Sequence, residues 1–166
     1  YLPNVSLMPG FLRGANTSQS VIDIYDGLYQ KLGPSDFIRL FPVILADDGS
    51  EFSNPKKIEN RPEERGIQED ADLLLQSECP YQKAEIEVGH EFIRRIAPKG
   101  RSFDEPIQKD VERMMNHINS YRRKKLNGKS LYEAFHFYYG EELTQKLGRQ
   151  KAAVGDINLT PELLKK

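Results

Sequence analysis

The spacing of apolar residues changes several times along the chain, and each change predicts an element. From Thr17 or Ser18, either of which can cap a helix, Val21, Ile22, Ile24, Tyr25, Leu28, Tyr29 and Leu32 recur as one broad stripe. Gly33-Pro34 stops that helix. Residues 36–40 read as a short helical turn. Residues 41–46 read as a buried strand that ends in the acidic pair Asp47-Asp48. Residues 54–72 are polar, with Pro55, Pro62 and Gly66, and predict a loop. The three leucines at 73–75 predict a short parallel strand.

The second half is patterned for helices. In residues 82–96, Ile86, Phe92, Ile93 and Ile96 fall near one face. Residues 106–121 carry Ile107, Val111, Met114, Met115 and Ile118 on one face, with Asp104 able to cap and Pro106 in the first turn. Ser130 and Glu133 have the spacing of a capping box for a helix through Tyr139. Gly140 ends it, a short helix spans 141–147, and Thr160-Pro161 opens a terminal one. The aromatic run Tyr132, Phe135, Phe137, Tyr138 and Tyr139 reads chiefly as a core stripe, with base stacking as its second use.

Composition narrows the classes. At 166 residues the chain has the length of one domain, able to bury about two-thirds of its unfolded surface. The net charge of -1 announces no nucleic-acid partner, but its distribution is uneven. Residues 1–79 carry 7 Lys/Arg against 13 Asp/Glu, and residues 80–166 carry 17 against 12. Such asymmetry fits metal-binding carboxylates beside a phosphate-binding surface, or simply unequal solvated faces. The single cysteine, Cys79, excludes an internal disulfide and a thiol-built zinc site. With no long apolar run and no charged-then-apolar leader, a cytoplasmic protein without membrane contact is expected. The sequence begins at Tyr1 rather than Met, as a fragment or a processed chain would.

Two stretches carry candidate chemistry. In 82–96, Glu87, His90, Glu91, Arg94 and Arg95 set carboxylates, an imidazole and guanidinium groups within three turns. That set suits a polyanion with metal ions, and equally a salt-bridged surface helix. Upstream, Val43-Ile44-Leu45-Ala46-Asp47-Asp48-Gly49-Ser50-Glu51-Phe52 delivers a carboxylate to the end of a strand, where open α/β sheets place their sites. Together these stretches resemble the integrase-core transposases, and most closely the insertion-sequence-thirty (IS-thirty) family. That family has a strand-end T-D-N-G-x-E-F motif and a helix reading Q-K-G-x-x-E-N-x-H-E-F-I-R-R. Asp47 falls on the first motif and Glu87 on the second, with His90 to Arg95 in register. The similarity continues through Pro98-Lys99-Gly100, Ser102-Phe103-Asp104, His117-Ile118-Asn119-Ser120-Tyr121 and Leu126-Asn127-Gly128-Lys129-Ser130.

The resemblance implies an α/β fold: an RNase H-like integrase core, incomplete at the N-terminus, with a helix-rich C-terminal half. Residues 1–125 would be the partial catalytic core and 126–166 a helical extension. A strand at 6–12, bent by Pro9-Gly10, would belong to the sheet. In that family three carboxylates hold two Mg²⁺ (or Mn²⁺) ions roughly 4 Å apart. Asp47 and Glu87 would be the second and third carboxylates, catalytic and metal-binding. Residues 1–22 contain no Asp or Glu, so the first is lacking. A catalytic-core fragment related to DNA strand-transfer enzymes, impaired or inactive alone, is therefore expected. The alternative is a non-catalytic DNA-binding or protein-interaction module derived from a transposase. DNA, both transposon ends and target, would be the partner, with self-association left open. Its contacts would be Lys83, His90, Arg94, Arg95, Lys99, Arg101, Arg122, Arg123, Lys124 and Lys125. The last four also suit the dipole at a helix C-terminus.

Overall fold

The computed structural model describes residues 7–41, 43–46, 74–77, 80–100 and 106–165, with side chains at 7–41, 87–100 and 106–165. Two compact units are present. One comprises Arg13–Pro80; the other joins Tyr1–Leu12 to Tyr81–Lys166.

In the Arg13–Pro80 unit, helix α1 (Ser18–Leu32) starts where the Thr17 hydroxyl accepts the Ser20 N–H at 3.3 Å. Gly33, at φ 79°, reverses the chain, and its N–H returns to the Tyr29 carbonyl. Pro34 then occupies the first turn of α2 (Pro34–Leu40). Phe37 packs against Tyr29 and Phe41 with ring centroids 5.4 and 5.1 Å apart, so the α1–α2 corner is held by aromatic contacts. Strands β1 (Val43–Ala46) and β2 (Leu74–Ser77) pair in parallel, Val43 opposite Leu74 and Ala46 opposite Ser77.

The second unit contains α3 (Pro80–Ile96), α4 (Gln108–Ser120) and α5 (Leu131–Lys146). Its core is Met8, Phe92, Ile96, Val111, Met114, Met115, Ile118 and Leu163. Helix α4 is central: it contacts α5 and the terminal 3-10 turn Pro161–Leu164. Burial of side chains such as Met114 or Ile118 stabilises by about 1.5–3 kcal/mol each. Ile107 is the N-cap of α4, and its N–H donates to Asp110 Oδ2 at 3.0 Å. Asp104, expected to cap this helix, lies outside the described residues.

The C-terminal end of α4 accepts backbone N–H groups from four places in the chain. Asn119, 1% exposed, receives the Met8 N–H on Oδ1 at 3.0 Å and donates Nδ2 to the Met8 carbonyl at 2.9 Å. Asn116 Oδ1 accepts Gln150 N–H, His117 Nδ1 accepts Asn158 N–H, and Ser120 Oγ accepts Ala152 N–H. At the other end of α4, Gln108 accepts the Leu12 N–H and donates to the Gly10 carbonyl. Residues 7–12 are thus strapped along α4 by two amide side chains. The approach is close at both helices. A Cβ on Gly10 would meet Met115 Cγ at 2.7 Å and Val111 Cγ1 at 2.8 Å, and one on Gly89 of α3 would collide with the Met8 thioether.

Helix α5 begins with the expected capping box. The Ser130 hydroxyl accepts Glu133 N–H at 3.1 Å, and Glu133 Oε2 accepts Ser130 N–H at 2.8 Å. Lys151 Nζ also donates to Glu133 at 2.8 Å; that bond first, and the Ser130 N–H next, hold the carboxyl down at about 2. Gly140, at φ 83° and ψ 174°, kinks α5 where the sequence places a break. Arg149 is buried, its Nε donating to the Leu147 carbonyl, and burial lowers its pKa against the charge of Glu112.

This architecture corrects the α/β, RNase H-like expectation. Such a core needs a multi-stranded sheet with helices on its faces. The described residues are predominantly helical, and their ladder is one parallel pair of four-residue strands. The physical reason is visible at 7–12. Met8, Gly10 and Leu12, in the segment expected as a sheet strand, bond through their backbone to Asn119 and Gln108 of a helix, and Pro9 has no N–H to offer a neighbour.

Two outcomes follow for stability. Asn119→Ala leaves the Met8 N–H and carbonyl buried without partners and is expected to cost roughly 2–4 kcal/mol in urea unfolding. Gly10→Ala, pressed against a stiff β-branched neighbour, is expected to cost about 1–3 kcal/mol. A loss near zero for both would show that the strap does not carry the unit. The pH dependence tests His117. Burial first, and Arg113 next, lower its pKa from 6.5, while Asp156 opposes them. The unfolded chain then binds more protons below pH 6.5, so this contribution is full above 6.5 and is lost as pH falls. His117→Asn keeps an acceptor without the titration, and its unfolding midpoint should vary less between about pH 5 and 7 than that of the wild type.

Candidate nucleic-acid interface

On α3, Gly89, Phe92 and Ile96 are buried and Ile93 half-buried, so residues three and four apart make the inner face. Glu87, His90, Glu91, Arg94 and Arg95 are exposed on the other side. Of the sequence-derived site residues, Asp47 and Arg101 lie outside the described residues, and Lys83 is described by backbone alone. Glu87 is placed on the exposed face. No group of three or more His, Cys, Asp or Glu that could hold a metal ion occurs among the described residues. Asp47, the carboxylate expected to share a metal with Glu87, is not among them.

The cations come together. Past α4 the chain enters a compact loop: Arg122 bridges Ser130, Arg123 N–H donates to the Lys129 carbonyl, and Lys124–Leu126 forms a 3-10 turn. Asn127 and Gly128 both take left-handed backbone conformations, at φ 52° and 79°, which close the loop. Arg122, Lys124, Lys125 and Lys129 are exposed on it. The four cations from Arg122 to Lys125 thus sit in a loop after the helix, which presents all of them but Arg123 to solvent.

Phe92 links this loop to α3. The Arg123 guanidinium carbon lies 4.9 Å from the centre of the Phe92 ring and that of Arg95 lies 5.1 Å from it; Tyr121 packs at 5.4 Å between ring centroids. Residues from α3 and from the loop therefore converge on one ring, whose negative π-face offsets the repulsion between two cations. Arg123 is half-buried in this contact, so it acts as an anchor for the loop. Arg94, Arg95, Lys99, Arg122, Lys124 and Lys125 remain as exposed cations on the same unit. His90 is exposed on α3, and His117 of α4 accepts a backbone N–H.

Sequence reasoning missed Phe92 as a platform, since an apolar residue on an inner face gives no sign of what stacks on it. It also missed Lys129, whose Nζ lies 5.6 Å from the Phe137 ring. Helical spacing offered a signal there: Phe137 lies two residues from the buried Phe135, on the opposite side of α5.

No helix among the described residues is long and apolar enough to cross a membrane. No family model, curated protein or solved structure matches the chain.

Phe92→Leu conserves most of the buried volume but removes the ring. It is expected to cost about 1–2 kcal/mol in urea unfolding, from two cation–π contacts and the lost ring–ring packing. An unchanged midpoint would separate the loop from the platform.

Proposed function

We propose that this chain is a segment of a DNA-transposition protein whose helical unit holds DNA, and that it does not cut and join DNA on its own. The observation that carries the reading is the convergence of Arg95 of α3 and Arg123 of the 122–130 loop on Phe92, in a unit that also exposes Arg94, Lys99, Arg122, Lys124 and Lys125. The run from His90 to Ser130, similar in register to the IS-thirty transposases, supplies the reason for choosing DNA among polyanions.

Arg94, Arg95, Lys99, Arg122, Lys124 and Lys125 would neutralise backbone phosphates and release their counterions, a contact that fixes position without reading sequence. Arginine offers bidentate contacts to phosphate, and the lysines act as point charges. The net charge of -1 for the whole chain is compatible with this, because fields near a surface depend on local clustering. Cleavage is left aside because the residues required for a two-metal site are not assembled among those described.

Duplex binding by fluorescence anisotropy tests the reading. Log affinity should fall linearly with log salt, with a slope of about -0.9 per phosphate contact. Removing two exposed cations with Lys124→Ala and Lys125→Ala should make that slope shallower by roughly two and weaken binding to unrelated sequences equally. Absence of salt-dependent duplex binding at about 50 mM salt would refute the proposal.

A further inference from the structure

The 122–130 loop and the first turns of α5 enclose a groove of about 650 Å³, within the size range of ligand pockets. Arg122, Lys129 and Lys151 line it, with Tyr132, His136 and Phe137. Glu133 is the carboxylate in its wall and is engaged by Lys151 at 2.8 Å, which leaves Arg122 and Lys129 as the uncompensated charges of the lining. The aromatic content is unusual for a solvated surface. Phe137 is 77% exposed although it carries no polar atom. Lys129 Nζ stands 5.6 Å from its ring centre, so cation and ring face the same space. The Tyr132 and His136 rings lie parallel within 7°, with centroids 6.4 Å apart.

A flat apolar ring with Lys129 at its face and Arg122 lining the same groove matches a ligand with one π-face and one anionic group. A nucleotide has both. In a duplex, base faces are covered by stacking, whereas an unpaired base can lie on an aromatic side chain while its phosphate meets the cations. A polypeptide could also cover Phe137, but the two positive groups lining the groove favour an anionic occupant.

We infer that this groove binds a nucleotide of single-stranded DNA, its base on Phe137 and its phosphate between Arg122 and Lys129. The inference rests on the DNA-holding function proposed above and extends it from phosphate contacts to an unpaired strand. Lys151 stays paired with Glu133 and shapes the wall.

The full chain can be titrated into a labelled oligothymidylate of about ten nucleotides and, separately, a blunt duplex of about 20 base pairs. Phe137→Ala is expected to weaken oligothymidylate binding roughly 5- to 100-fold and Phe137→Tyr to retain it, with duplex affinity unchanged within about twofold for both. Lys129→Ala should weaken the single strand and lower its salt slope by about 0.7. The exposed position of Phe137 means that the helical circular dichroism of these variants should match the wild type. Duplex binding together with single-strand affinity unaffected by Phe137→Ala overturns this inference alone. A Phe137→Ala effect confined to self-association in sedimentation assigns the ring to a protein contact and also overturns it. Failure to bind either nucleic acid removes the DNA-holding function and this inference together.

Discussion

The second unit depends on the side-chain amide of Asn119. A backbone segment laid across a helix must find partners for its N–H and carbonyl groups, because burying them unpaired would be costly. Asn119 presents one acceptor and one donor in the arrangement that a neighbouring peptide would offer, and both go to Met8. With Gln108 doing the same near the other end of α4, residues 7–12 lie close enough for Met8 to join the core and for Gly89 to meet its thioether. Asn116, His117 and Ser120 extend the device to the chain beyond α5. One helix end thereby gathers segments that would otherwise be separate.

That arrangement bears on what a motif means. His117-Ile118-Asn119-Ser120 is one of the runs on which the expected resemblance to transposases rests, and a histidine in such a run invites a catalytic role. In the structure its polar members receive backbone donors and Ile118 is fully buried. The restrictions on these side chains are those of packing and hydrogen bonding. The candidate function lies instead on exposed groups, where α3 and the 122–130 loop meet at Phe92. Two guanidinium groups near one ring repel each other, but they are attracted to its face and lose less hydration than ammonium groups would. The result is a close pair of guanidinium groups on a chain whose net charge is -1.

Much of the local structure was legible beforehand, and the reason is range. The Thr17 cap, the Gly33-Pro34 stop, the Ser130–Glu133 capping box and the Gly140 kink each depend on residues within four positions of one another. The inner faces of α3 and α4 follow the 3.6-residue period for the same reason. The α/β expectation came from the resemblance to the integrase-core transposases, and the strand it implied at 6–12 lies instead along α4. An extended segment does not declare in its sequence whether its hydrogen bonds will go to a strand or to the side chains of a helix.

By itself, then, the sequence determined the main helices, the caps of α1 and α5, and the uneven distribution of charge. Tertiary structure alone decided that Met8 and Asn119, 111 residues apart, would satisfy each other, and that Arg95 and Arg123 would share a ring. It also decided that Phe137 would face water beside Lys129 while Phe135, two residues earlier, filled the core. Local order arises from hydrogen bonds and periodicities a few residues long, whereas these pairings exist only after distant segments have been closed onto each other and every buried polar group has found a partner.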